Sequence, residues 1–399
     1  MASDQDDGVK FILLLPPPPS PPSPANLKEA YGDTLRQVLQ EAMAQSHDTV
    51  QASLLEIALA CPHLTSSSDS TRSELYAETQ SIAAGLYKLI CVIAAQNHVN
   101  VEDEDGVDVR ILLVAWSPEK SPAPQTSYGP VVDLQTLAAS RRPWEFALGV
   151  ETSEGQAFMQ AFGQAIKGQS AQSDSLSSST SKPPVSKDAI RHDSVAVGGT
   201  FDHIHIGHKL LLTMTVFAVD APSSSSGTNQ SIVIGITGDE LLKNKKHAEF
   251  LQSWSDRQNS AYRFVRALMD FSPPGSPEPQ LSEVNESGPN GHAVIVTLAS
   301  GLQIKFVEIW DPFGPTITDK DISALIISAE TRSGGKAVND KRAEKGWPGL
   351  EVLEVDVLDS EDNVESAGQQ AADKNDLHSK LSSTEIRRKL SAKATSSSL

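Results

Sequence analysis

Cysteine is nearly absent. The 399 residues contain two, Cys61 and Cys91, with no CxxC pair. Neither a disulfide framework nor a structural zinc finger is available, and a reducing compartment is expected. Positive charge is short as well: 33 Lys and Arg against 51 Asp and Glu leave a net charge of -18. A general nucleic-acid binder needs a cationic face, so nucleic acid is not an expected partner. A small phosphorylated substrate needs only local positive charge and stays compatible. Long apolar runs are also missing. The N-terminal MASDQDDGVKFILLLPPPP carries one short run, Phe11 to Leu15, behind acidic residues. A signal peptide wants a basic start and a longer core, and a membrane span wants about 20 apolar residues. No membrane partner is expected. Cytoplasmic residence follows, with nuclear presence also compatible.

What is there is an ordinary globular complement, 39% hydrophobic, enough for a sizeable core. Residues 1–25, with the proline-serine tract from Pro16 to Pro24, read as a disordered N-terminus. Residues 26–167 read as a small α/β domain, with helical periodicity over Leu27 to Met43 and Ser73 to Gln96. Phe11 to Leu15, Ala52 to Ala60 and Val109 to Trp116 read as strands or short buried segments. GQSAQSDSLSSSTSKPPVSK (168–187) reads as a serine-rich linker. A second domain spans 188–392, followed by a disordered tail at 393–399. Short β runs at Ser194 to Val197, Ser231 to Ile236, Gln303 to Ile309, Ala324 to Ser328 and Leu350 to Val357 alternate with helical stretches there. That alternation predicts an α/β fold, a Rossmann-like, doubly wound, parallel five-stranded sheet. Polar segments near 221–230, 272–291 and 360–380 read as surface insertions.

One stretch concentrates the chemistry. Val195 to Met214 reads VAVGGTFDHIHIGHKLLLTM: a strand, two glycines, a loop with three histidines, then a helix. Ligands of parallel α/β sheets bind beyond the carboxyl ends of the strands. Gly198 and Gly199 let backbone approach a ligand closely, and a helix N-terminus offers free N–H groups to phosphate. The arrangement suits polyphosphate, although neither GxGxxG nor GxxxxGK[ST] is present. Two alternatives stand beside it. His205 and His208 have a spacing that zinc ligands use, but no Cys or Glu cluster accompanies them. The histidines also fit a purely structural cluster.

GGTFDHIHIGHKLLL resembles the signature of the HxGH nucleotidylyltransferase superfamily, whose members transfer a nucleoside monophosphate and release pyrophosphate. HIGH alone is shared with class I aminoacyl-tRNA synthetases. Four further stretches follow in order: IVIGITGDELLKNKK (232–246), DPFGPTITD (311–319), ISAETRSGGKAVNDKR (327–342) and LSSTEIRRKL (381–390). Together they resemble the archaeal and eukaryotic type of phosphopantetheine adenylyltransferase, including the corresponding domain of the bifunctional animal coenzyme A synthase. The likeness covers about residues 188–391, and its polar insertions suit a fungal version.

The resemblance implies transfer of AMP from ATP to 4'-phosphopantetheine, giving dephospho-coenzyme A and pyrophosphate. It implies a catalytic set of Thr200 on the acceptor phosphate, His208 on the α-phosphate and Lys246. Gly198, Gly199, His205 and Gly207 would line the nucleotide, and Lys243 or Lys245 would take phosphate. Ser382, Ser383 and Thr384 would donate to the β- and γ-phosphates, with Arg387 supplying charge. Glu330, Asn339 and Arg342 would lie near the nucleotide, while Asp202 would organise the loop. Mg²⁺ would bridge triphosphate oxygens, with no dedicated protein ligands. Without a Walker A loop the chain is expected to be monofunctional, leaving the next kinase step to another protein, and association with other coenzyme A enzymes is compatible with the resemblance. Rival readings are a CTP-dependent choline- or glycerol-phosphate enzyme, a nicotinamide mononucleotide or flavin enzyme of the same superfamily, and a non-catalytic scaffold.

Overall fold

The computed structural model describes residues 8–49, 52–65, 70–101, 106–119, 128–171, 190–221, 230–356 and 382–396. Two compact units result, one comprising Met1–Ser70, Ser81–Asp188 and Met269–Ser276, the other Thr71–Gln80, Ala189–Leu268 and Pro277–Leu399. The linker residues 172–187, most of the insertion near 221–230, the insertion at 360–380, and residues 397–399 of the tail lie outside the described residues.

The first unit is built on a parallel sheet in the order β4-β3-β2-β1-β5. Its strands are β1 (Lys10–Leu15), β2 (Ser53–Ala60), β3 (Val107–Val114), β4 (Val131–Val132) and β5 (Phe146–Gly149). The helices are α1 (Pro24–Thr49), α2 (Arg72–Gln96), α3 (Leu134–Ala139) and α4 (Ser153–Ala171). Residues 1–25 are therefore not a disordered leader throughout. Phe11 to Leu15 are all fully buried between β2 and β5. A continuous run of large apolar side chains is what a strand covered on both faces requires, and burying each is worth about 1.5–3 kcal/mol. β4, α3 and β5 were not expected, being too short for their periodicity to register. α4 runs four residues past the expected boundary at 167.

The second unit carries a seven-stranded sheet in the order β12-β11-β6-β7-β10-β9-β8. Its parallel members are β6 (Ser194–Gly199), β7 (Ser231–Thr237), β10 (Gln303–Ile309), β11 (Ala324–Ser328) and β12 (Glu351–Val355). These are the five expected strands, in the doubly wound order. β6 leads outward to β7 while β11 leads the opposite way to β12, so the chain reverses direction between β6 and β11. Ligands of such sheets bind at that reversal. The helices are α5 (Ile206–Phe217), α6 (Trp254–Met269), α7 (Arg332–Glu344) and α8 (Ser383–Ser396), the last reaching into the segment expected to be a loose tail. On one face Ala196, Val233, Val307, Leu325 and Ile327 pack with Val338 of α7 and Leu350.

The expected insertion at 272–291 is structured in large part. Antiparallel β8 (Gln280–Asn285) and β9 (His292–Thr297) extend the sheet beyond β10. Val296 of β9 is fully buried, whereas β8 is largely exposed. The polar face of β8 gave the segment the composition of a loop.

The second unit also includes Thr71–Gln80, which a boundary at residue 188 would cut away. The Arg72 N–H donates to Asp220 Oδ1 at 3.0 Å, and the His192 N–H donates to Oδ2 at 2.8 Å. Ser73 Oγ donates to Glu351 at 2.6 Å, and Gln80 Nε2 to Asp356 at 2.7 Å. Asp220 is buried, so its loss strands two N–H donors. Asp220→Ala should lower stability by about 1–3 kcal/mol per stranded donor, measured by urea unfolding of the full chain; Asp220→Asn, which keeps one acceptor, should lose less.

Candidate active site

β6 ends in Gly198 and Gly199 and hands the chain to a loop with unusual backbone. Phe201 and His203 both sit in the left-handed region, at φ 52° and 46°. Neither residue favours that conformation, which costs about 1–3 kcal/mol at each position. Burial repays it: the Phe201 ring is fully buried, and a Cβ at Gly199 would lie 2.9 Å from it. Gly199 is glycine to make room for that ring. Gly198 instead faces open space, with Ile309 Cδ1 as its nearest neighbour at 4.0 Å.

His205 caps α5, its Nδ1 accepting the Gly207 N–H at 3.2 Å. A Cβ at Gly207 would meet the His205 ring at 3.1 Å, so this glycine also serves the cap. The His205 and His208 rings stack at 4.0 Å. Burial drives His205 well below its ordinary value, with the neighbouring His208 adding to the effect. Burial likewise pushes His208 down to about 4, against the pull of the Asp202 carboxylate. Both imidazoles are neutral at pH 7. His208 Nδ1 is buried and, among the described residues, meets no hydrogen-bonding partner.

The C-terminal helix closes the site. Arg387 of α8 is 2% exposed and Asp202 0%, and their side chains form a buried ion pair. Arg387 Nε also donates to the Lys246 carbonyl at 3.1 Å, and its second terminal nitrogen to Thr384 Oγ1 at 3.2 Å. The other Asp202 oxygen takes the Gln252 N–H at 3.0 Å. Gln252 Oε1 accepts the His203 N–H at 2.8 Å, completing the tie around the strained loop. Three sequence-distant stretches, GGTFD, KNKK and SSTEIR, are thereby drawn to one place. Ser382 Oγ accepts the Glu385 N–H at 3.3 Å and so caps α8. Arg387 anchors the helix start to the loops after β6 and β7 through these bonds.

The remaining expected residues divide. Thr200 is half-buried, its carbonyl held by Arg257 at 2.7 Å. Arg257, fully buried, also donates to the Thr237 carbonyl at 2.8 Å and to Asp239 at 2.5 Å. It thus clamps the loops that follow β6 and β7. Lys243, Lys245 and Lys246 are exposed beyond β7. Lys243 pairs with Glu240 in the open, a contact worth little. Glu330 is exposed on the turn after β11, across the strand reversal from the glycines. Asn339 and Arg342 are not available to a nucleotide. Asn339 is bonded at both ends to the Leu350 backbone, at 3.0 and 2.8 Å. Arg342 donates to the carbonyls of Pro348, Thr316, Asp319, Lys320 and Ile322, using every N–H a guanidinium has. Gln252 escaped the sequence reading, because a lone glutamine before a helix carries no pattern.

Residues 1–183 match a family described as "Domain of unknown function (DUF8446)". An uncharacterized protein of Schizosaccharomyces pombe is 34% identical over 196 residues, 49% of this chain and 47% of that protein. A phosphopantetheine adenylyltransferase of Saccharomyces cerevisiae is 34% identical over 209 residues, 52% of each chain. The enzyme of the same name from Thermococcus kodakarensis is 26% identical over 170 residues, 43% of this chain and 78% of that one. The chain spans about half the length of the two fungal relatives.

Two measurements probe this geometry. Asp202→Ala or Arg387→Ala alone leaves a buried charge unpaired and should cost about 3–5 kcal/mol in urea unfolding. The double variant should cost clearly less than the sum, and strict additivity would refute the coupling. The His208 value also gives stability a pH slope. Between about 4 and the ordinary 6.5 the unfolded chain binds a proton that the folded one does not, so this contribution to stability rises with pH across that window and is lost as pH falls through it. His208→Phe should flatten that part of the profile.

Proposed function

We propose that the second unit is a nucleotidyltransferase, and specifically a pantetheine-phosphate adenylyltransferase, joining AMP from ATP to 4'-phosphopantetheine with release of pyrophosphate. The observation that carries this reading is the docking of the SSTEIR helix start onto the GGTFD loop through Asp202 and Arg387. It joins the start of α8 to the loop after β6 and to the lysine loop after β7, and a helix N-terminus with lysines near it suits a triphosphate. The fungal and archaeal relatives that bear this name support the same reaction.

The chemistry asks little of the protein beyond placement. A phosphate oxygen of the acceptor forms a bond to the α-phosphorus of ATP, the bridging bond to the β-phosphate breaks, and pyrophosphate departs. A phosphate monoester needs no activating base near neutral pH, so in-line alignment and charge stabilisation carry the rate. In this reading Thr200 holds the acceptor phosphate, and neutral His208 donates a hydrogen bond to the α-phosphate as charge builds there. His205 fixes the helix start beside it. Lys246 is the lysine best placed to add charge, because its carbonyl is fastened to Arg387; Lys243 and Lys245 border the acceptor's approach. Ser382, Ser383 and Thr384 with the first N–H groups of α8 take the β- and γ-phosphates, and Glu330 borders the adenosine. Among the described residues no group of three His, Cys, Asp or Glu could hold a metal. In this reading Mg²⁺ would be held by oxygens of the triphosphate, where it would offset negative charge.

Purified protein given ATP or CTP with each of 4'-phosphopantetheine, choline phosphate, glycerol phosphate, nicotinamide mononucleotide and flavin mononucleotide should release pyrophosphate fastest with ATP and 4'-phosphopantetheine. His208→Ala should lower that rate by about 10²-fold or more. Preference for another pair, or full turnover by the variant, would overturn the assignment.

A further inference from the structure

The β8–β9 hairpin sets a histidine against the start of α6. The ring of His292, on β9, lies 4.4 Å from that of Trp254, the first residue of α6. Its Nδ1 is 3.0 Å from Glu308 Oε2 on β10, and its Nε2 is 3.4 Å from Glu283 Oε1 on β8. The Nδ1 contact with Glu308 and the stacking on Trp254 restrain the ring. Trp254 is buried and donates through Nε1 to the Ile236 carbonyl at 3.3 Å, and through its backbone N–H to Asp239 Oδ2 at 3.1 Å. Asp239 in turn takes Arg257, whose guanidinium also holds the carbonyls of Thr200 and Thr237. Thr237 Oγ1 donates to the Gly199 carbonyl at 3.2 Å. Glu308 Oε1 would lie 3.1 Å from a Cβ on Gly238, at the root of the lysine loop.

From this chain of contacts we infer that His292 is a positioning residue for the acceptor side of the site: it braces Trp254, and through Asp239 and Arg257 it fixes Thr200 and the 238–246 loop. The inference rests on the reaction assigned above. The hairpin is then a working part of the unit, not a neutral insertion. The brace acts first on the acceptor side, because it reaches α8, which takes the β- and γ-phosphates in that reading, only at further remove, through Arg257, Gln252 and Asp202. It acts through two features of one ring, its stacking on Trp254 and its anchorage to Glu308.

Two readouts on the full chain test this, with His292→Ala, His292→Asn (which keeps a donor toward Glu308) and His292→Phe (which keeps the stacking). The first is amide hydrogen exchange, which needs no turnover. His292→Ala should speed exchange in peptides covering 237–246 and leave 324–355 protected. The second is kinetics with ATP and 4'-phosphopantetheine. His292→Ala should raise the acceptor KM about tenfold while the ATP KM stays within about twofold of wild type, a split that general loosening would not produce. The Asn and Phe variants should each recover part of both effects. Unchanged exchange in 237–246, or exchange raised equally throughout the unit, overturns the brace whatever the kinetics. A wild type inactive on this substrate pair overturns the reaction, and local loosening at 237–246 would still support the brace.

Discussion

Everything at the candidate site hangs from one buried ion pair. Asp202 sits in the loop that leaves β6, Arg387 sits on α8, and 185 residues of sequence separate them. A buried pair adds little net stability over a well-packed apolar one, since desolvation consumes most of the attraction. Its consequence here is register. Arg387 reaches Asp202, the Lys246 carbonyl and Thr384 at once, so α8 seats its first turn in one place only. An oily contact would let the helix slide.

The strained loop and the two neutral imidazoles follow from the same constraint. Positive φ at Phe201 and His203 persists because surrounding groups determine the loop several times over: the Phe201 ring under Gly199, Gln252 on either side of Asp202, and Arg257 on Thr200. The stacked histidines sit where water is scarce, and the charged form of each is disfavoured. The stretch that seemed crowded with histidine and glycine is thus crowded for two separate reasons. Gly199 and Gly207 accommodate Phe201 and His205, while Gly198 is exposed with only Ile309 near it.

Most of the architecture was legible in the sequence because its strands are continuous apolar runs. All five parallel strands of the second unit stand where SVAV, SIVIGI, QIKFVEI, ALIIS and LEVLEVDV put them, the last ending at Val355. Edge elements escaped. β8 exposes nearly all its side chains, so it carries no pattern to read, and β4 is two residues long. The glycine-histidine loop and the capped C-terminal helix announced themselves as sites through local motifs. What no local motif reveals is which partner a buried polar group has chosen. Arg342 and Asn339 looked like ligands of a nucleotide and proved to be ligands of carbonyls and N–H groups on neighbouring loops. Arg387, expected to lend charge to phosphate, is also paired with Asp202. Arginine supplies five donors wherever it is buried, and only three-dimensional proximity decides who accepts them.

The central claim is that the loop after β6 and the start of α8 grip a single triphosphate from two sides. A crystal structure of the full chain with a non-hydrolysable ATP analogue tests it most directly. The account predicts one triphosphate within hydrogen-bonding distance of both the His208 imidazole and the N–H groups or hydroxyls of Ser382 to Thr384, with the Asp202–Arg387 pair intact. A triphosphate that touches only one of these two elements, or lies elsewhere on the chain, would contradict it.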